Sequence, residues 1–91
     1  MDKKVESELI KDFPKIFRQV NLPMTETCMC WGIECGTGWA WLIRQLCQSI
    51  QGYVDSNEKE QVEAVQVKEK FGTLRFYVNS NDDIVFFKNR F

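Results

Sequence analysis

The side chains best able to do chemistry are four cysteines, Cys28, Cys30, Cys35 and Cys47. Four thiolates can hold a zinc ion, but structural zinc sites favour pairs separated by about two to four residues. Only Cys28-x-Cys30 and Cys30-x4-Cys35 are close here. Cys47 falls on an apolar helical stripe, where cysteine behaves as a small core hydrophobe. No metal site is assigned, and the protein is expected to purify without stoichiometric zinc. Thiol catalysis needs a depressed pKa, and Cys35 stands just ahead of a helix whose dipole would help. The chain has no histidine to act as the base. No catalytic residue, no cofactor and no enzyme activity are therefore expected.

Two further groups invite a chemical reading. Gly36-Thr37-Gly38 precedes a helix, and such a turn can cradle a phosphate on free N–H groups. A phosphate loop would continue with Gly-Lys-Ser/Thr, whereas this chain continues with Gly-Trp. A tight turn with a helix cap is the preferred reading. Lys68, Lys70, Phe71, Arg75, Phe76 and Tyr77 put cations beside aromatics on a hairpin, an arrangement that stacks the bases of single strands. The order does not match the RNA-recognition strand, because Phe71 precedes Gly72 and Thr73-Leu74 follow it. The competing reading has core side chains on one face. On the other, Lys68 and Arg75 pair with Glu63 or Glu69 across strands. A formal net charge of −1 argues against coating a phosphate backbone.

These residues must be positioned by a small fold. Ninety-one residues make one domain, divided into a helical segment, 1–22, and a helix-plus-hairpin unit, 28–91. Val5, Leu9 and Phe13 recur at helix spacing. Pro14 breaks that pattern or opens a second short helix with Ile16, Phe17 and Val20 inward. Asn21 and Pro23 end it. Met29, Trp31 and Ile33 alternate as one short strand would. Trp39, Leu42, Ile43, Leu46, Cys47 and Ile50 form a continuous apolar stripe, with Gly52 as the stop. Leu46 is its centre, and Asp55–Gln61 reads as a solvated loop.

Val62–Lys70 and Thr73–Asn79 read as two strands of a hairpin turning at Lys70-Phe71-Gly72. Val65 and Val67 share a face. Leu74, Phe76 and Val78 share one face of the second strand; Thr73, Arg75 and Tyr77 share the other. Residues 82–91 suit a short helix, led by Asp82 and Asp83, or a third strand through Ile84–Phe87. The fold class is α+β: a small single domain with helices packed on an antiparallel β-hairpin or small sheet. Two strands alone are marginal, so the helix must cover Leu74, Phe76 and Val78, or another strand must join.

Of the aromatics Trp31, Trp39, Trp41, Phe86, Phe87 and Phe91, Trp41 falls off the helical stripe and is expected to be partly exposed, either at an interface or wrapped by the amino-terminal helix. Exposed aromatics mark interfaces. No apolar stretch approaches the roughly 20 residues of a membrane span. The charged start, Met1–Glu8, has no signal-peptide core. The cytosol is the expected location, with the cysteines kept reduced.

Cys35-Gly36-Thr37-Gly38-Trp39, with Leu42-Ile43 and Leu46-Cys47 after it, and the run Val65-Gln66-Val67-Lys68-Glu69-Lys70-Phe71-Gly72-Thr73-Leu74-Arg75-Phe76-Tyr77-Val78 resemble a family of small uncharacterised proteins of phages and prophages. The resemblance covers roughly residues 31–83. It implies a phage or prophage origin and carries no established chemistry. By analogy it points to a non-enzymatic inhibitor of a host defence protein, of anti-CRISPR type, acting by protein–protein contact. The expected partner-binding residues are Trp41, Lys68, Lys70, Phe71, Arg75 and Tyr77. The alternative is a single-stranded nucleic-acid-binding module built on the 66–78 hairpin. No membrane partner is expected.

Overall fold

Asp2 starts the first helix, α1 (Lys3–Asp12), by accepting hydrogen bonds from the N–H groups of Lys4 and Val5 at 2.8 and 3.2 Å. The computed structural model describes residues 1–79. The expected segment 82–91, with Phe86, Phe87 and Phe91, lies outside the described residues. After α1 the chain turns at Pro14 and makes a short 3-10 turn at Arg18–Asn21, with Ile16 and Phe17 buried. Val20 packs partly against the core.

The expected strand through Met29 and Trp31 is largely a 3-10 turn, Cys28–Trp31. The Thr27 hydroxyl accepts the Met29 N–H at 3.1 Å and starts that turn locally. Only Ile33–Glu34 is extended, forming β1. Gly32 joins the two at φ 81°, ψ −160°, a region open essentially to glycine. A Cβ on Gly32 would stand 2.7 Å from Glu6 Oε2. That oxygen accepts the Ile33 N–H at 2.8 Å and ties β1 to α1.

Gly36-Thr37-Gly38 leads through a 3-10 turn, Thr37–Trp39, into α2 (Ala40–Asn57). The helix does not stop at Gly52. Val54 extends the buried row of Ile43, Cys47 and Ile50 by one more turn. Gln51 donates to Asp55 and shares a reciprocal amide pair with Gln61. The helix ends where Glu58 adopts a left-handed φ of 50°. Much of the expected loop is thus helix. Leu42 and Leu46, the expected centre of the stripe, are only half-buried.

The hairpin consists of β2 (Ala64–Lys70) and β3 (Thr73–Val78), antiparallel. β1 joins as a parallel third strand beside β2, giving the order β1-β2-β3. The domain is α+β: two α-helices on a three-stranded mixed sheet. Both routes to a stable hairpin are therefore taken. Leu74, Phe76 and Val78 bury into one cluster with Ile43, Cys47, Ile50 and Val54 of α2, and β1 widens the sheet. A register shift between Ala64 and Gln66 makes a bulge at Val65. Ala64 and Val67 are the buried residues of β2 as a result, and Val65 does not share the core face with Val67. Among the described residues no helix is long and apolar enough to cross a membrane.

Candidate functional site

Beyond the Val65 bulge the hairpin alternates, so burial of one face decides what the other carries. Val67 stands opposite Phe76 on the core side. On the open side Gln66 pairs with Tyr77, Lys68 with Arg75, and Lys70 with Thr73. Glu34 of β1 lies in register beside Lys68. Lys68, Arg75 and Tyr77 therefore come together as expected. Phe76 does not join them: it is buried and meets Phe17 edge-on at 6.5 Å.

The expected ion pairs across the strands do not form. Glu63 lies at the hairpin base and is gripped by Arg18, Nε to Oε2 at 2.7 Å and Nη2 to Oε1 at 3.0 Å. Gln19 adds a third hydrogen bond to it at 3.0 Å. The Arg18 hydrogen bond holds the Glu63 carboxyl below its usual range, against the opposing pull of burial. Glu69 stands opposite Leu74 and not opposite Arg75. Arg75 Nε is shielded from solvent and has no hydrogen-bond partner among the described residues.

A groove of about 440 Å³ runs beside this face, lined in part by Glu26, Cys28, Gln66, Lys68 and Tyr77. The Thr27 hydroxyl, also on its wall, donates to the Val65 carbonyl at 3.4 Å. That contact holds the cysteine-bearing turn against the bulge.

The hairpin tip has an unusual loop. Phe71 and Gly72 both have positive φ, 53° and 74°, as a two-residue type I′ turn requires. Glycine adopts that conformation freely, whereas a bulky aromatic does so under strain. Phe71 is nevertheless 90% exposed, with Lys70 Nζ 5.6 Å from its ring centroid. Trp41 is apart from the hairpin set. It projects from α2 on the side away from the core and is 70% exposed, as its helical phase requires. Trp31, at the end of its 3-10 turn, is also exposed, while Trp39 is core.

The cysteines divide by burial. Cys28 is exposed and Cys30 half-buried, whereas Cys35 and Cys47 are buried; all four are free thiols. Burial pushes Cys35 up to about 11 and Cys47 up to about 12, so both are neutral thiols near pH 7. The help expected for Cys35 from the following helix is thus outweighed by desolvation. Among the described residues no three His, Cys, Asp or Glu side chains come together to hold a metal ion.

Sequence reasoning missed the strained conformation of Phe71. The signal was available: a Lys-Phe-Gly-Thr loop between alternating strands leaves Phe at a position that favours Asn, Asp or Gly. It also missed Glu6 and Gly32, which no periodicity marks. Comparison with protein-family models, with curated proteins and with solved structures finds no match to this chain.

Proposed function

We propose that this chain is a non-enzymatic binding protein that acts by contact with another protein, with Phe71 and Trp41 as its aromatic anchors. One observation carries the reading: a phenylalanine holds a strained left-handed position at the hairpin tip while 90% exposed. An asparagine or glycine would relieve the strain, and the exposed ring adds nothing to the core, only its contact with Lys70. Strain of this kind is a mark of recognition sites, and exposed aromatics are common interface anchors. The resemblance over residues 31–83 supports the finer reading of a phage or prophage inhibitor of a host defence protein, acting in the host-cell cytosol. Lys70, placed against the Phe71 ring, belongs to the same tip.

A second reading, single-stranded nucleic-acid binding, draws on Lys68, Arg75 and Tyr77 sharing the open sheet face. One experiment separates the two. The immobilised chain captures its partner from a bacterial host lysate, mass spectrometry identifies it, and the purified partner is titrated at low and high salt. Phe71→Asn is expected to fold with about 1 kcal/mol more stability, from release of the left-handed strain. It is also expected to bind about tenfold or more weakly, the loss of one interface aromatic. Trp41→Ala should weaken binding in the same direction, and wild-type binding should survive moderate salt. Unchanged binding by both variants would overturn the protein-contact reading. It would yield to nucleic acid if a Lys68/Lys70/Arg75 triple alanine variant also fails to bind and wild-type affinity falls steeply with salt.

A further inference from the structure

We infer that the Lys68–Arg75 pair on the open sheet face receives a carboxylate from an acidic segment of the protein partner. This inference rests on the protein-contact reading and adds the chemistry of what is bound. Lys68 and Arg75 are direct cross-strand partners on the same face. Like charges in that position destabilise a sheet unless something neutralises them. No ion pair in the described fold does so. The ion pairs among the described residues are Arg18–Glu63 and Arg44–Asp12, and neither involves this face. Glu34 lies in register beside Lys68 but makes no ion pair with it.

Arg75 adds the second observation. Its Nε is out of contact with solvent and has no acceptor among the described residues. The guanidinium as a whole is only half-buried, and a carboxylate supplies acceptors for the N–H groups that remain open. Gln66 and Tyr77 form the next cross-strand pair along this face and line the groove beside it, with an amide and a phenol as further donors.

A carboxylate fits better than a phosphate chain because the cationic patch is short. Glu26 lines the groove and Glu34 borders Lys68. A polyanion tracking across the sheet would meet both. With a formal net charge of −1 the chain offers no broad positive field to offset them.

The test uses the full chain and two fluorescein-labelled probes, hexaglutamate and decathymidylate, followed by fluorescence anisotropy. Hexaglutamate is expected to bind, and the oligonucleotide to bind more weakly. Arg75→Gln should weaken hexaglutamate binding about tenfold or more, and Arg75→Lys should not restore it, because lysine lacks the bidentate fork. Lys68→Gln should weaken binding less, and Lys59→Gln, which removes an exposed charge elsewhere, should leave it unchanged. A merely structural role for Lys68 would lower the melting temperature in its variant. The unrelieved repulsion instead calls for an equal or higher melting temperature in probe-free Lys68→Gln. Tighter binding of decathymidylate than of hexaglutamate would overturn the inference. So would no hexaglutamate binding, or binding that Arg75→Gln leaves unchanged. If hexaglutamate fails while the captured protein still depends on Phe71 and Trp41, the inference falls and the protein-contact reading stands. If Arg75-dependent hexaglutamate binding holds while Phe71 and Trp41 prove irrelevant, the reverse is true.

Discussion

On the core side of the β2–β3 hairpin, Ala64, Val67, Leu74, Phe76 and Val78 are buried against α2 and the α1 segment. On the open side, Gln66, Lys68, Arg75 and Tyr77 stand half-exposed, two of them like charges set face to face. The same six-residue strand, β3, supplies both faces, so strand propensity does not distinguish them. What differs is satisfaction. Each core residue meets apolar neighbours, whereas the open-side cations form no ion pair among the described residues. A face that is complete needs no partner; a face with unmet charge and a strained aromatic at its tip is where a partner has something to add.

The largest expected effect tests the completed face. Phe76→Ala removes a ring that is fully buried and packed edge-on against Phe17. It should cost about 3–5 kcal/mol, the usual range for an aromatic deleted from a core. Chemical denaturation measures this directly. A loss under about 0.5 kcal/mol, typical of surface sites, would mean that the two faces have been assigned the wrong way round.

Leu46→Ala sharpens the same contrast on the helix. The apolar stripe places Leu46 at its centre, yet the side chain is half-buried and the fully buried row is Ile43, Cys47, Ile50 and Val54. The expected loss is therefore roughly 1–2 kcal/mol, below that of a fully enclosed leucine. Ile43→Ala should cost clearly more in the same denaturation series. Equal losses would show that the helix is rotated from the phase seen here.

The parts of the fold legible in the sequence are those with long periodicity. The α2 stripe and the alternation of β3 each repeat over several residues, so single exceptions do not hide them. Trp41 was legible for the same reason: its phase leaves it no place in the core. The features that escaped are local. β1 is two residues long, and its pairing partner is more than thirty residues away in the sequence. The Val65 bulge inserts one residue and rotates everything before it, so period-two reasoning carried Val65 to the wrong face. The turn at Cys28–Trp31 follows from one hydroxyl, that of Thr27, which competes with strand formation. The candidate site was half legible. Residue types placed Lys68, Arg75 and Tyr77 on one face, but only the register shows that the two cations oppose each other and that Glu63 is committed elsewhere.

The smallest expected effect compares met with unmet charge. Glu63 is bonded by Arg18 and Gln19 at the hairpin base, whereas Lys68 and Arg75 form no ion pair among the described residues. The Arg18 bond lowers the Glu63 pKa in the folded protein from its ordinary value of 4.5. A carboxyl whose pKa falls on folding stabilises the native state above its unfolded pKa, and that contribution disappears as the pH drops through the folded value. Glu63→Gln should therefore melt slightly below wild type at pH 7, and the gap should close by pH 3 or below. The gap at neutral pH will be small, because the Arg18 side chain is 57% exposed and solvent screens the pair. Added salt should narrow it further at pH 7. On the open face salt should act in the opposite sense, raising wild-type stability relative to Lys68→Gln as it screens the repulsion. Thermal melts of the three proteins at two pH values and two salt concentrations contain the whole comparison. A Glu63→Gln gap as wide at pH 3 as at pH 7 would show that packing, and not the ion pair, is what that side chain contributes.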